Sequence, residues 1–381
     1  MKIAYVYTAL TTLGGADRVI IEKANHFAED YNHEVFIITD SQCGRKSFFP
    51  ISPKIKLIDL DINFGQQYQY GIIKRMFCYF RLMRIYKKRL SETLYKIKPD
   101  ILITTLGRDA DFITRIHDGS IKIGEAHTTK ECMRNLQLFK DRNIFYRIVR
   151  WIWIKKLERT ANRLSQLVVL NDLEENKWKI PQKTTVIENS LPFYPKESSD
   201  LTKKIIITVG RMSEEKGYDR LVTIWDIVSK KHPDWTLHIY GNGLMQPQIE
   251  QWIKEKKIQN SLVLKGICTN IEEKYLNSSI YVMASYFEGF GMVLAEAMAC
   301  GVPCIAFDCP TGPKNIIKNQ EDGILVKDGD IDAYCKALCE LIENEEKRKE
   351  MGQQAKINIK RYESGLVMEK WNNLFLRLIE K

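Results

Sequence analysis

The chain has 381 residues, of which 44% are hydrophobic and 28% charged, and its net charge is +10 at pH 7. This length suits two domains, and the composition is typical of a soluble globular protein and excludes a disordered one. No run of about 18 uninterrupted apolar residues occurs, so no transmembrane helix is predicted.

The positive charge is concentrated in the first half of the chain. Residues 1–195 contain 32 Lys and Arg against 21 Asp and Glu, whereas the remainder contains 26 against 27. This asymmetry indicates that the first half meets an anionic partner surface.

The N-terminus and the cysteines bear on the cellular compartment. The segment MKIAYVYTAL has one basic residue and internal tyrosines, so we interpret it as a first buried strand and not as a signal peptide. The nine cysteines are scattered; Cys335 and Cys339 are one helical turn apart, with no histidine near them in the sequence. We expect buried thiols in a reducing cytoplasm. Peripheral attachment to the inner face of the cell membrane is a further expectation, which follows from the two basic stretches described below.

Short β-branched runs alternate with amphipathic helical patterns along the whole chain, which predicts α/β architecture with parallel sheets covered on both faces. The predicted strands of the first half are Ile3–Tyr7, Glu34–Thr39, Ile55–Leu60, Asp100–Thr104, Ile121–Glu125, Gln166–Leu170 and Thr184–Ile187. Those of the second half are Lys204–Val209, Thr236–Tyr240, Leu262–Lys265, Ile280–Ala284, Pro303–Phe307 and Ile324–Val326.

The alternation pauses once, in a segment with two prolines and a serine pair. We therefore predict a first Rossmann-like domain at residues 1–190, a linker at 191–203 and a second Rossmann-like domain at 204–364. The two domains are expected to face each other across a cleft, and a separate C-terminal helix at 365–381 is expected to return to the first domain.

In the first half, three short motifs follow predicted strands and are therefore candidates for the cleft. The pair Gly14-Gly15 lets backbone approach a ligand, although a plain tight turn explains it equally. His127 ends the Glu125-Ala-His run, where a structural histidine is the alternative to a functional one. Asn189 is a weaker cleft candidate.

Two basic stretches mix Lys and Arg with aromatic residues. Residues 72–98 contain nine Lys and Arg and one acidic residue, and residues 143–163 repeat the mixture around Trp151 and Trp153. Both are typical of interfacial helices that meet anionic lipid, the alternative being core helices with a solvated basic face. No nucleic-acid-binding motif accompanies the charge, so nucleic acid is not an expected partner.

Two motifs in the second half carry the chemistry. Arg211 and Lys216 lie between a predicted strand and helix, where permanent cations can neutralise a diphosphate; a solvated helix start is the alternative. A second strand-to-helix turn lies in EGFGMVLAE, which runs from Glu288 to Glu296. The first amides of its helix can bind phosphate, and Glu296 is placed to reach a ribose. The alternative is a generic glycine turn with two surface glutamates.

These motifs resemble the retaining nucleotide-sugar glycosyltransferases of glycosyltransferase family 4, which have the two-domain GT-B fold. The resemblance covers essentially the whole chain and is most specific in EGFGMVLAEAMACGVP. It implies that Glu288 holds the sugar hydroxyls, Glu296 the ribose, and Arg211 with Lys216 the diphosphate. It also implies a contact of His127 with the sugar's C6 hydroxyl. The backbone contacts that it implies for the donor come from Gly14, Gly15, Gly241, Asn242, Gly266, Ile267, Gly289, Phe290, Gly291, Met292 and Val293.

The resemblance implies transfer of a hexose or N-acetylhexosamine from a nucleotide sugar, UDP-linked by preference, to a glycan or lipid-linked acceptor of bacterial surface polysaccharide or glycoprotein glycan synthesis. The segment Phe307–Pro313 is similar to a subset that acts on polyprenyl diphosphate carriers. A nucleotide-sugar epimerase of the same fold and a non-catalytic binding module are the alternatives. No cofactor or metal is expected, because the three DxD sequences, at Asp59, Asp109 and Asp328, join no histidine cluster.

Overall fold

The computed structural model describes residues 1–139 and 143–380. It divides into two compact units, one formed by Met1–Glu188 with Val367–Lys381 and the other by Asn189–Leu366. Asn189, predicted at the end of the first domain, is thus the first residue of the second unit.

The first unit is built on a seven-stranded sheet of order β3-β2-β1-β4-β5-β6-β7 in which every strand pair is parallel. Its strands are β1 (Lys2–Tyr7), β2 (Glu34–Thr39), β3 (Lys56–Asp59), β4 (Ile101–Thr104), β5 (Ile121–Glu125), β6 (Gln166–Val169) and β7 (Thr184–Val186). Its helices are α1 (Gly15–Glu29), α2 (Ile72–Ile97), α3 (Ile144–Arg163) and α4 (Asp172–Trp178).

The second unit has a six-stranded parallel sheet of order β10-β9-β8-β11-β12-β13. Its strands are β8 (Ile205–Val209), β9 (Thr236–Tyr240), β10 (Leu262–Gly266), β11 (Ile280–Met283), β12 (Cys304–Phe307) and β13 (Gly323–Val326). Its helices are α5 (Tyr218–Lys231), α6 (Gln246–Glu255), α7 (Ile271–Leu276), α8 (Met292–Ala299), α9 (Pro313–Ile316), α10 (Ile331–Glu343) and α11 (Glu345–Ile359).

Both sheets confirm the predicted α/β class with parallel strands. Strands such as β4 and β12 are buried along their whole length, as expected where helices cover both faces of a sheet. The strand order reverses between β1 and β4 in the first unit and between β8 and β11 in the second. Ligands of such sheets bind outside the carboxyl ends of the strands at this reversal, so the loops that follow these four strands are candidate binding sites.

The last helix, α12 (Ser364–Ile379), belongs to the first unit from Val367 onward. Trp371 and Phe375 are buried in the same core as Ile3 and Phe27, and the Phe27 and Phe375 rings are 5.1 Å apart. Burial of its apolar face therefore fixes this helix against α1.

The segment predicted as a linker, residues 191–203, packs within the second unit. Leu201 is buried, its carbonyl accepts hydrogen bonds from the Arg348 guanidinium, and the Ser199 hydroxyl donates to the carbonyl of Ser278 at 2.7 Å. The lack of periodicity thus marks irregular packed structure. None of the helices in the two described stretches is long and apolar enough to cross a membrane.

Candidate functional site

The loops at the carboxyl edge of the second sheet are held together by backbone contacts. The N–H of Gly241, after β9, donates to the carbonyl of Gly266, at the end of β10, at 2.8 Å. The Asn242 carbonyl accepts from the N–H of Met212, after β8, at 2.7 Å. The predicted residues Gly241, Asn242 and Gly266 therefore share one edge with the Arg211 loop, while Ile267 follows with its side chain half exposed.

Gly217 joins the loop after β8 to the loop after β11. Its φ of +65° is in the left-handed region, and a Cβ added to it would lie 2.1 Å from the carbonyl oxygen of Ala284. The N–H of Tyr286 also donates to the carbonyl of Glu215 at 2.9 Å. Since only glycine fits at 217, this turn sets the distance between the two predicted motifs.

The structure brings Lys216 and Glu288 together. The Lys216 Nζ lies 2.7 Å from Oε1 of Glu288, although the two residues are 72 positions apart. Arg211 precedes Lys216 in the same loop, and its side chain is exposed. Across the described residues, no ion pair or hydrogen bond engages the Arg211 guanidinium, so it is available to an anion.

Glu288 is held from several sides. Its Oε1 also accepts a hydrogen bond from the Ser285 hydroxyl at 2.7 Å, and its backbone carbonyl accepts from the Thr311 hydroxyl at 2.8 Å. A Cβ at Gly312 would approach the Glu288 Cβ to 2.6 Å, so a glycine there lets the loop after β12 pack against it. Glu288 is 9% exposed, and these contacts preorganise its carboxylate.

The helix that follows Glu288 places the remaining residues of the predicted motif. Gly289 and Phe290 form the turn, Gly291 with φ of +98° is the N-cap of α8, and Met292 and Val293 are its first residues. The first amides of such a helix have no intrahelical acceptor and favour an anion.

Glu296 lies one turn inside α8 and is buried. Its Oε2 accepts a hydrogen bond from the Tyr275 hydroxyl at 3.1 Å. Burial, and then the neighbouring Glu296 carboxylate, raise the pKa of Tyr275 well above its usual value, so the phenol remains a hydrogen-bond donor.

In the first unit, Gly14 and Gly15 lie after β1, where Gly14 is the N-cap of α1. Asp17 fixes this loop, because its carboxylate accepts from the Tyr7 hydroxyl at 2.7 Å and from the N–H of Thr12 at 2.8 Å. The loop thus begins α1 at the carboxyl edge of the first sheet, at the strand reversal.

His127, after β5, stands beside a buried ion pair that the sequence did not predict. Its Nε2 lies 3.5 Å from Oε1 of Glu125, which pairs with the Lys23 ammonium of α1. Burial is the largest influence on the imidazole and lowers the pKa of His127, so the ring is neutral at neutral pH. One signal was present in the sequence: Lys23 interrupts the apolar face Val19, Ile20, Ala24 and Phe27 of the first helix.

At least one acidic residue of each DxD sequence has a protein partner. Asp59 accepts from the N–H groups of Gln42 and Cys43, Asp111 pairs with Arg134 and Lys156, and Asp328 pairs with Arg220. Among the described residues, two groups of potential metal ligands have their ligand atoms within 4.8 Å of one another. One is Cys43 with Asp59 and Asp61; in the other, which differs from the sequence expectation, His232 approaches Cys339 and Glu343. Its Nε2 is 3.2 Å from the Glu343 carboxylate, which makes it an ion-pair partner when protonated.

The buried carboxyls of Asp40 and Asp109, near the ends of β2 and β4, predict a pH dependence of stability. Burial, the largest influence on each, raises their pKa values from 3.8 to about 6. A raised acid pKa means that the folded state binds more protons, so each group destabilises the fold as pH rises from about 4 through 6, by about 3 kcal/mol once ionised.

We therefore expect Asp40→Asn to gain stability relative to the wild type as pH rises from 4.5 to 7.5. The gain should approach about 2–3 kcal/mol in urea unfolding, since asparagine carries no charge to bury. Asp172→Asn, an exposed carboxyl of the same unit, is the control and should show little change. If the difference in stability between Asp40→Asn and the wild type did not change with pH, the raised pKa of Asp40 would be contradicted.

Residues 193–358 match the family model described as glycosyl transferases group 1. An uncharacterised glycosyltransferase of Haemophilus influenzae is 27% identical over 380 residues, which cover 98% of this chain and 99% of that protein. The poly(ribitol-phosphate) alpha-N-acetylglucosaminyltransferase of Staphylococcus aureus is 28% identical over 58% of this chain, a match that spans 46% of the relative's length.

A solved structure has the same two-domain fold. A point mutant of S. aureus TarM, in complex with fondaparinux, alpha-GlcNAc-glycerol and UDP, superposes with a TM-score of 0.77 at 18% identity, covering 98% of this chain and 99% of that one. The likeness at this identity concerns the fold, which is that of the GT-B glycosyltransferases.

Proposed function

Because this chain has the GT-B glycosyltransferase fold and its residues 193–358 match the group 1 glycosyltransferases, we propose that it transfers a hexose or an N-acetylhexosamine from a UDP-linked donor to a glycan or lipid-linked acceptor. The transfer retains the anomeric configuration and contributes to a bacterial surface polysaccharide or a glycoprotein glycan. The observation that carries the proposal is the contact between Lys216 and Glu288 beside the N-terminus of α8. The names of the staphylococcal relative and of the TarM complex support an N-acetylhexosamine and UDP.

In this proposal the second unit binds the donor. Arg211, Lys216 and the first amides of α8 neutralise the diphosphate, so positive charge is in position as the leaving group departs. Glu296 accepts from the ribose hydroxyls and Glu288 from those of the sugar. His127 contacts the transferred sugar, and Asn189 is a candidate for acceptor contact.

The departing diphosphate is the base in the proposed chemistry. As the bond from the anomeric carbon to the phosphate oxygen breaks, an oxocarbenium-like sugar forms and the acceptor hydroxyl attacks from the same face, giving up its proton to that phosphate. Glu288 is not assigned as a covalent nucleophile, because Lys216 and Ser285 hold its carboxylate for hydroxyl contact.

Incubation with a panel of UDP-sugars, with and without a polyprenyl-diphosphate-linked acceptor, tests the proposed function. An acceptor-dependent transfer product supports it, and we expect this product to persist with excess EDTA because two cations replace the metal. An isomerised donor would instead identify an epimerase. If neither product formed with any donor, the protein would be a non-catalytic binding module.

The basic helices of the first unit support a second part of the proposal, docking to an anionic membrane. Five apolar side chains in the first half of each helix are half exposed or more: Ile72, Ile73, Met76, Phe77 and Phe80 in α2, and Ile144, Phe145, Ile148, Trp151 and Ile152 in α3. We call these ten residues the apolar face.

The two helices that carry the apolar face both approach Asp111. The Asp111 carboxylate pairs with Lys156 of α3 at 2.7 Å, and after burial it is the next influence that raises the pKa of Tyr79 in α2. Exposed aromatic and aliphatic residues among Lys and Arg fit the interfacial region of an anionic leaflet.

Replacing Phe77 and Phe80 together by serine should weaken binding to vesicles at least tenfold, because burial of each ring contributes about 1.5–3 kcal/mol. Co-sedimentation with vesicles in which a fifth of the lipid is phosphatidylserine measures this binding. A higher salt concentration should also weaken it. Ile357→Ser with Leu366→Ser, two comparably exposed residues of the second unit, is the control. Equal binding of both variants would contradict membrane docking by the apolar face.

A further inference from the structure

A histidine, a cysteine and a glutamate from two helices meet at the amino edge of the second sheet. His232 is the C-cap of α5 and lies shortly before β9 begins, while Cys339 and Glu343 are one turn apart at the end of α10. One ligand atom from each of the three side chains lies within 4.8 Å of the other two. Because the loops of the proposed donor site lie at the carboxyl edge of this sheet, the cluster is separate from that site.

His232 and Cys339 both have unmet bonding capacity. The Nε2 of His232 is buried and lies 3.2 Å from Oε1 of Glu343, yet it makes no hydrogen bond with any described residue. The Cys339 thiol is free, whereas the thiol of Cys335, one turn earlier, contacts the carbonyl of Ile224 at 3.8 Å. Buried polar atoms in folded proteins normally have partners, so a buried imidazole nitrogen without one indicates a ligand.

The Glu343 side chain gives an ion access to the imidazole. Glu343 is 64% exposed and His232 only 14%, so a rotation of the glutamate toward solvent opens the space beside the ring. Cys339 and Glu343 also line a solvent-open groove of about 730 Å³. Four glutamates and two lysines line this groove, which makes it net negative: Glu340, Glu343, Glu345, Glu346, Lys231 and Lys336.

The end of α10 favours a cation as well. The last carbonyls of a helix carry partial negative charge, so a carboxylate in the last turn is unfavourable unless a cation is close to it. The last turn of α10 has no basic residue. Lys347 pairs with Glu340 at 2.6 Å, but the ion-pair partner of Glu343 is His232, which is charged only when it is protonated. A metal ion at this point supplies the positive charge.

The types of ligand select the metal. Ca²⁺ and Mg²⁺ take oxygen ligands, whereas an imidazole, a thiolate and a carboxylate together suit Zn²⁺. Ligand atoms around a tetrahedral Zn²⁺ are about 3.3–3.8 Å apart, so small side-chain rotations bring the three atoms into place. The thiolate and the carboxylate balance the two charges of the ion when the histidine is neutral.

We propose that His232, Cys339 and Glu343 bind one Zn²⁺ ion, with water as the fourth ligand, and that this ion ties the end of α5 to α10. The other group of potential ligands, Cys43 with Asp59 and Asp61, is less suited to a metal. The Asp59 carboxylate there already accepts hydrogen bonds from backbone N–H groups. Zn²⁺ binding to α5 and α10 is independent of the proposed function.

Metal binding is measured on the full chain without an affinity tag, under reducing conditions and after a chelator has removed bound metal. Zn²⁺ titrated in competition with a chromophoric chelator should occupy one tight site. Co²⁺ should give the intense visible bands of a tetrahedral ion together with a thiolate-to-cobalt charge-transfer band. A wild type that does not compete for Zn²⁺, or a Co²⁺ complex without the charge-transfer band, would overturn the proposal.

Single substitutions assign the ion to this cluster. His232→Gln and Cys339→Ser should each weaken Zn²⁺ binding at least about 100-fold, since loss of a group behind a metal ligand already costs about 10- to 100-fold. Cys339→Ser should also abolish the charge-transfer band. Glu343→Gln, at an exposed position, keeps the test valid if either variant does not fold, and it should weaken binding at least about tenfold.

Cys43→Ser is the matched control, because Cys43 belongs to the other group of potential ligands, in the first unit. It should leave both the Zn²⁺ affinity and the Co²⁺ spectrum unchanged. If the charge-transfer band were lost in Cys43→Ser and kept in Cys339→Ser, the ion would lie in the first unit and the proposal would be wrong.

Thermal unfolding measures the effect of the ion on the fold. Zn²⁺ should raise the unfolding midpoint of the wild type, because it binds the folded chain, and should leave that of His232→Gln unchanged. Equal shifts in the two proteins would contradict the assignment. If no UDP-sugar is a substrate, the proposed function fails, whereas the Zn²⁺ and Co²⁺ titrations still decide the metal site.

Discussion

Replacing Arg211 and Lys216 together by methionine is expected to lower kcat/KM for the donor by about 10,000-fold, because two positive groups at a developing diphosphate are each worth about 100- to 1,000-fold. Lys216→Met alone should lower kcat/KM for the donor more than Arg211→Met alone does. Lys216 neutralises Glu288, and its loss leaves a carboxylate that is 9% exposed without its cation. Arg211 has no such partner among the described residues, so its loss removes only the contact with the ligand.

Initial rates of UDP release at several donor concentrations measure these effects. Lys254→Met, an exposed lysine of α6 in the same unit, is the matched control and should retain wild-type kinetics. If kcat/KM of the double variant stayed within tenfold of the wild-type value, other groups would have to neutralise the diphosphate.

Glu288→Gln is expected to lower transfer by about 100-fold while UDP binding stays equal or becomes tighter. Glutamine keeps the size of the side chain, but it removes the charge that accepts from the sugar hydroxyls and that pairs with Lys216. The freed lysine then interacts more strongly with the diphosphate, which explains the opposite directions expected for rate and affinity.

Glu214→Gln serves as the control for Glu288→Gln, since Glu214 is an exposed carboxylate of the Arg211 loop. Transfer rates and calorimetric titration with UDP are measured on both variants. Undiminished transfer by Glu288→Gln would remove this residue from the sugar site.

The parts of the fold that depend on local periodicity were predictable from the sequence. Every predicted strand has a counterpart in the two parallel sheets, and EGFGMVLAE lies at a strand-to-helix turn as expected. This succeeded because a strand buried on both faces is a continuous apolar run, and because glycines in such turns reflect close backbone approach.

Contacts between residues that are far apart in the sequence were not predictable. Lys23 and Glu125 are 102 positions apart, and no local pattern indicates that a lysine on an apolar helix face finds its carboxylate in β5. Likewise, Ser285 and Gly312 act on Glu288 only through the folded loops. Residues 191–203 lack periodicity, yet Arg348, in α11, hydrogen-bonds to the Leu201 carbonyl.

The DxD sequences show how the same acidic pattern serves different structural purposes. Asp59 binds backbone N–H groups, Asp109 accepts from the Thr104 hydroxyl, and Asp330 caps α10 by accepting from the N–H of Ala333 at 2.9 Å. Short acidic motifs therefore require their structural surroundings before they indicate a metal.

Calorimetric comparison of UDP with uridine tests most directly whether Arg211 and Lys216 bind the diphosphate of a nucleotide sugar. The wild type should bind UDP at least about 100-fold more tightly than uridine, and Arg211→Met/Lys216→Met should lose most of that preference while its affinity for uridine is unchanged. A double variant that keeps the wild-type preference for UDP would contradict the account.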